Sequence, residues 1–177
     1  MKKKCKNCKK EFIPLRSTLE KYCLKDECIR VFVEEAKSKA WKKTKSKMKT
    51  DLMTLQDYIK LAQITFNKYI RLRDKGNVCI SCQKPINGVK HASHYLSAGG
   101  HSAIRFHEDN VWVSCYKCNV MLSGNAVEYR KALINKIGIE RVEWLENNGN
   151  SEKKWLKDEL QGLIKKYKMK CKEYEAQ

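Results

Sequence analysis

Eight of the nine cysteines fall into two groups of four, and this grouping constrains the chain more than any other feature. The first group is Cys5, Cys8, Cys23 and Cys28: a C-x2-C pair, fourteen residues, then C-x4-C. The second is Cys79, Cys82, Cys115 and Cys118, two C-x2-C pairs separated by 32 residues. A tight knuckle lets two sulfurs sit about 2.3 Å from one ion while backbone amides stabilise the thiolates. Each group is therefore read as a structural Zn2+ site. Four thiolates close a tetrahedron and leave no open position, so the metal clamps segments together and takes no part in catalysis. Residues 1–33 are too few to bury a core without such a staple; Phe12, Ile13 and Tyr22 are their candidate miniature core. The ninth cysteine, Cys171, reads as a small apolar side chain on a C-terminal helix.

The redox setting agrees. MKKK is followed by CKNCKKEF and not by an apolar stretch, which argues against a signal peptide. No segment reaches the roughly 18 apolar residues of a membrane span. The expectation is a cytoplasmic protein, where disulfides rarely persist and C-x2-C pairs hold metal. Charge points to the partner. Lys and Arg number 38 against 20 Asp and Glu, for a formal +18. Residues 1–50 hold 17 basic and 6 acidic side chains. An excess this large costs self-repulsion and suits a polyanion, so Lys42, Lys43, Lys45 and Lys47 are candidate DNA-binding residues.

Four segments follow: 1–33, the N-terminal zinc module; 34–75, a basic helical stretch and a scaffold helix; 76–138, the second cysteine module; and 139–177, C-terminal helices. After Cys28 the chain reads as a helix trailing into a basic linker or continuing as one basic helix, since residues 29–49 contain no Gly or Pro. Thr54 and Asp57 form a capping box before an apolar pattern running to Arg73. Asn125 and Glu128 start a helix to Lys136, stopped by Gly138. A short helix covers 140–146, the NNGN stretch turns, and Ser151 caps the last helix. Its stripe of Leu156, Leu160, Leu163, Tyr167, Cys171 and Tyr174 suits packing or a dimer contact.

Within 76–138, Asn87-Gly88 predicts a type I′ turn into a strand over 89–95. Alternation puts Val89, His91 and Ser93 on one face and Lys90, Ala92 and His94 on the other. A loop with Gly99-Gly100 and a second strand, Asn110 to Ser114, lead into CYKC and a helix beginning with Asn119.

Strand with His, glycine loop, strand beginning with Asn, then helix: this order resembles the HNH, or ββα-metal, nuclease finger, with the CxxCN ending of endonuclease VII-like members. Over nearly the whole chain, HASHY (91–95), RFHEDNV (105–111) and LSGNAVEYR (122–130), with both cysteine groups, resemble the NinG/Rap family of phage recombination proteins. The resemblance implies an α+β, mainly helical fold. Its zinc-stapled ββα-metal finger is flanked by helices, with the small four-cysteine module ahead. It implies an endonuclease, encoded by phage or prophage, that cuts branched double-stranded DNA such as D-loops and Holliday junctions beside a phage or host recombinase. His94 then matches the general base, Asn110 the residue that supports it, and Asn119 a ligand of a catalytic Mg2+ or Mn2+.

One position departs from the pattern. The usual ligand before the base is Asp, Glu or His, and here it is Ser93. His91 is the first substitute and Asp109 the second, with Glu108 and Glu128 as further carboxylates. Arg105, Lys117 and Arg130 are candidate phosphate contacts; His101 and His107 lie in the loop as solvated or phosphate-contacting side chains. The alternative is a zinc-dependent DNA-binding or recombination-adaptor protein whose finger does not cut. An RNA-binding zinc protein is disfavoured by the lack of an aromatic stacking cluster.

Overall fold

The computed structural model describes residues 2–176 and divides into two compact units, Met1–Met53 and Thr54–Gln177. In the first unit, β1 (Lys3–Lys4) and β2 (Glu11–Phe12) pair antiparallel around the first knuckle. Helix α1 (Asp26–Asp51) follows without a break. Asp26 and Glu27 in its first turn and Lys49 in its last match the helix dipole, and nothing inside it interrupts the ladder. The basic stretch is thus a continuous helix and not a linker. The buried cluster of this unit is Cys5, Cys23 and Cys28, joined by Cys8, Phe12 and Tyr22. Ile13 is exposed, so the proposed miniature core loses one member.

The second unit begins with α2 (Leu55–Arg73), and the capping box forms as the sequence predicts. Asp57 N–H donates to Thr54 Oγ1 at 3.2 Å and Thr54 N–H donates back to the Asp57 carboxylate at 3.0 Å. Tyr58, Ala62, Thr65, Phe66, Tyr69 and Ile70 form the buried face of α2. The last helix, α5 (Lys157–Glu175; helices α3 and α4 are placed below), packs on it through an aromatic cluster. Phe66 and Tyr167 meet edge-on at 4.8 Å between ring centres. The C-terminal stripe is Leu160, Ile164, Tyr167 and Cys171, and it is buried inside the unit. Leu156 is exposed.

The only other sheet among the described residues is a two-stranded ribbon. β3 (His91–His94) pairs antiparallel with β4 (Val111–Ser114), His94 opposite Val111 and His91 opposite Ser114. The C-terminus of α2 anchors it. Buried Asp74 takes both the Arg73 guanidinium and the Val113 N–H, while Arg73 also donates to the Val111 and Glu108 carbonyls. A buried charge needs such a full set of partners. A π-helical turn (Lys117–Met121), α3 (Ala126–Ile137) and α4 (Ile139–Gly149) complete the unit. They enclose a second core of Ile80, Ile104, Tyr129, Leu133, Val142 and Leu145.

Four local expectations are corrected. Asn87-Gly88 makes no type I′ hairpin: only Gly88 has positive φ, and no strand precedes it. The connection between the paired strands is the long segment 95–110. Asn125 precedes α3 in a left-handed conformation and its side chain does not cap the helix. It instead points its amide at Cys118 Sγ, 4.0 Å away. The NNG of the supposed turn stays helical to Gly149, and α5 starts six residues after Ser151 because Glu159 caps it through the Leu156 N–H at 2.9 Å.

Candidate functional site

Both cysteine groups assemble. In each, the four Sγ atoms lie within 4.8 Å of one another, and no cysteine is in a disulfide. Cys8 and Cys23 sulfurs are 3.7 Å apart, and Cys82 and Cys115 sulfurs 4.0 Å. A tetrahedral ion with bonds of about 2.3 Å separates its sulfurs by about 3.8 Å. Both groups therefore have the donor set and size for zinc. Burial pushes the Cys28 and Cys118 thiols up to about 12. Burial also acts on Cys5 and Cys79, but backbone N–H groups outweigh it and bring them down to about 6 and about 7. The N–H donors belong to Cys23, Cys8 and Asn7 around Cys5, and to Cys82, Cys115 and Ser81 around Cys79. In each knuckle the backbone thus favours the thiolate form that a metal takes up.

The ribbon carries the histidine at its end. His94 Nε2 lies 3.1 Å from the Arg105 carbonyl oxygen. A carbonyl only accepts, so the proton sits on Nε2 and Nδ1 is left as the basic nitrogen. Burial lowers the His94 pKa below its ordinary value; the carbonyl opposes this and the Arg105 charge adds to it. The ring is neutral at pH 7. Arg105 itself has a buried Nε without a hydrogen-bond partner. The segment 95–110 thus turns the Arg105 carbonyl onto the imidazole, and the Arg105 charge acts on the ring. Sequence spacing alone has no signal for this, because the contact runs through a backbone carbonyl eleven residues away.

Asn110 is fully buried but does not hydrogen-bond His94, correcting the expected direct support. Its Oδ1 accepts from the Leu96 N–H at 2.8 Å, and its Nδ2 donates to the Leu96 and Ile104 carbonyls at 3.0 and 3.3 Å. It closes the loop and fixes the peptide next to Arg105. Asp109 is not free to hold a cation, because both its oxygens take N–H groups from Arg141. Glu108 accepts from Tyr69 at 2.6 Å and Lys170 at 2.6 Å, and Glu128 pairs with Lys131 at 2.9 Å. The side chains of His91 and Asn119 have no hydrogen-bond partner among the described residues. The His91 ring stands 5.9 Å from that of Tyr116, and Asn119 lies in the π-helical turn directly after Cys118.

The basic candidates separate. Arg130, read as a phosphate contact, pairs with Glu146 through two N–H donors at 2.7 and 3.1 Å. Lys117 and the α1 lysines at 42, 43, 45 and 47 are exposed. His101 and His107 are half-buried and have partners within the unit: the first faces the Gly149 carbonyl at 2.8 Å, and the second accepts from the Asp109 N–H at 3.3 Å and packs 4.9 Å from Trp144. No helix among the described residues is long and apolar enough to cross a membrane.

The family model described as Bacteriophage Lambda NinG protein matches residues 1–177. A protein ninG of Escherichia phage 933W is 33% identical over 189 residues, covering 97% of this chain and 93% of the relative. The protein ninG of Escherichia phage lambda is 37% identical over 116 residues, covering 66% of this chain and 56% of that protein. No solved structure matches.

Proposed function

This chain belongs to the NinG family of bacteriophage proteins, and from that membership and the state of His94 we propose a structure-selective DNA endonuclease that cuts branched recombination intermediates, D-loops and Holliday junctions among them. The ribbon, the second cysteine group and the helical turn after Cys118 act as an HNH-type finger. Two structural zincs hold the modules, and the exposed lysines of α1 bind phosphates in a salt-sensitive manner.

The observation that carries the reading is the ring at 94, neutral, with Nε2 held by the Arg105 carbonyl and Nδ1 free. Hydrolysis of a phosphodiester needs a positioned base and a stabiliser of the crowded anion. His94 Nδ1 takes a proton from the attacking water. Asn110 is a positioning residue: by tying Leu96 and Ile104 it keeps the Arg105 carbonyl under His94. The half-buried Arg105 guanidinium, whose charge acts on the His94 ring, is the donor for a phosphate oxygen. His91 and Asn119 would hold a catalytic Mg2+ or Mn2+, which when bound stabilises the phosphate and the leaving oxygen.

Cleavage of a four-way junction with Mg2+ or Mn2+, measured for wild type and His94→Ala, tests this. The expected result is a variant that binds as wild type but cuts 10²- to 10⁴-fold more slowly, roughly the usual contribution of a general base. Equal cutting by both removes His94 from the mechanism.

A second reading has its own support. Ser93 precedes the base, and Asp109, Glu108 and Glu128 are all paired elsewhere, so the finger lacks a free carboxylate among these candidates. A recombination adaptor that binds branched DNA and never cuts it fits that donor set. Wild type that binds junctions tightly but leaves them intact with both metals selects this reading.

A further inference from the structure

Helix α1 is more than a row of lysines. From residue 36 to residue 51 every side chain is exposed. Residues 36–50 contain seven lysines and no acid. In their midst stands Trp41, 61% exposed. The other three tryptophans are engaged. Trp112 donates to the Asp109 carbonyl and lies under Arg73, Trp155 donates to the Ser102 carbonyl beside Phe106, and Trp144 packs on His107. Trp41 alone of the four has no ring or cation contact among the described residues. A solvated basic helix does not require an indole, and an amphipathic ring set among cations is suited to contact with a partner.

Its surroundings on the helix name the partner. Lys37 and Lys45 lie one turn before and one turn after Trp41 on the same face, and the nearer neighbours there are Ser38 and Thr44, small side chains that leave the ring open. Cations on both sides of an accessible aromatic ring form a stacking platform for a nucleotide strand. In uninterrupted duplex the base faces are already covered by their neighbours, so an indole gains little there. At a branch, gap or flap an unpaired base has an open face.

Building on the DNA reading above, we propose that Trp41 stacks on an unpaired DNA base at the branch point while the α1 lysines hold the flanking phosphates. The lysines then supply affinity for any DNA, and Trp41 supplies the preference for interrupted duplex.

The test uses full-length, zinc-loaded protein without added Mg2+ or Mn2+, so that binding is read without cutting. Fluorescence anisotropy compares a plain duplex, the same duplex with a short single-stranded gap, and a junction with unpaired bases at its centre. Trp41→Ala is expected to lose about tenfold on the gapped and unpaired DNAs and twofold or less on plain duplex. Trp41→Phe keeps most of the preference, because a flat ring remains. Lys45→Gln weakens all three DNAs alike. Trp41 is exposed and makes no ring, cation or hydrogen-bond contact among the described residues, so unchanged circular dichroism accompanies the alanine variant. Equal loss on all three DNAs, or no loss on any, overturns the proposal. Tighter binding of wild type to single-stranded RNA of the same sequence than to gapped DNA also overturns it. A wild type that binds none of the DNAs overturns this proposal together with the DNA reading, whereas intact binding without cleavage removes only the endonuclease.

Discussion

The two cysteine modules share one knuckle and differ in what surrounds it. In the first, Cys5 N–H donates to the Lys10 carbonyl at 2.9 Å, and Lys9 is left-handed at φ 60°. In the second, Cys79 N–H donates to the Lys84 carbonyl at 2.9 Å, and Gln83 is left-handed at φ 54°. The local geometry is the same because both obey C-x-x-C-x-K. The burial is not. Around the first knuckle the buried side chains are cysteines, helped by Phe12 and Tyr22. Behind the second lies an apolar core of Ile80, Ile104, Tyr129, Leu133, Val142 and Leu145, with the α2–α5 aromatic cluster in the same unit. In one module the sulfurs are the core; in the other they are a rivet on a core that exists without them.

Zinc removal should break the comparison most sharply. A structural zinc contributes about 10–16 kcal/mol of folding free energy, and a small domain has only about 5–15 kcal/mol in total. With a strong chelator, or in Cys5→Ser, the segment 2–25 is expected to unfold. In Cys79→Ser the helices α2 and α5 should persist while the β3–β4 ribbon loosens. Limited proteolysis reads the difference: chelation should leave a protected fragment beginning near Thr54. A first module that resists proteases without metal would show that its core does not depend on the sulfurs.

The next largest effect belongs to the second module alone. His94→Ala is expected to cut 10²- to 10⁴-fold more slowly without loss of the ribbon. If hydrogen exchange shows the ribbon melting in that variant, the histidine is a packing residue instead.

A pH profile follows from the same ring. Burial lowers the His94 pKa, so the neutral, base-competent form dominates already below pH 6.5. Cleavage is expected to rise about tenfold per pH unit at acid pH and to level off before pH 6.5. A plateau reached only above pH 7 would contradict a desolvated imidazole.

The smallest effect probes the core that the first module lacks. A Cβ at Gly149 would meet Leu96 Cδ1 at 2.8 Å and His101 Nδ1 at 3.2 Å. Gly149→Ala should therefore cost about 1 kcal/mol or less, because the nearest atom is the end of the Leu96 side chain and alanine favours the helix, read by denaturant unfolding of the second unit. A neutral result would mean that the segment after β3 yields without strain.

Much of the molecule was legible from local rules. The knuckle spacing in both cysteine groups, the Thr54 capping box, the apolar period of α2 and the alternation in the strands at His91–His94 and Val111–Ser114 are patterns of residues a few positions apart, although the contacts they make reach much further. The misreadings share a cause. Asn87-Gly88, Asn125 and Ser151 all carry strong local signals for turns or caps, yet the chain uses other partners: the Cys118 sulfur takes the Asn125 amide, and Glu159 takes the start of α5. Local propensity is worth tenths of a kcal/mol to about one, and packing or a metal-directed contact outweighs it.

The residue types and their spacing by themselves determined that this chain folds around two sulfur knuckles, carries a basic helix and places a histidine at the end of a short strand. Which groups are spent and which are free was decided only in three dimensions. Arg141 occupies Asp109, Lys170 occupies Glu108 and Glu146 occupies Arg130, while the His91 and Asn119 side chains and the Arg105 Nε have no hydrogen-bond partner among the described residues. Pairing between side chains tens of residues apart depends on how the chain returns on itself, and a charge becomes available for chemistry only where that return leaves it without a partner.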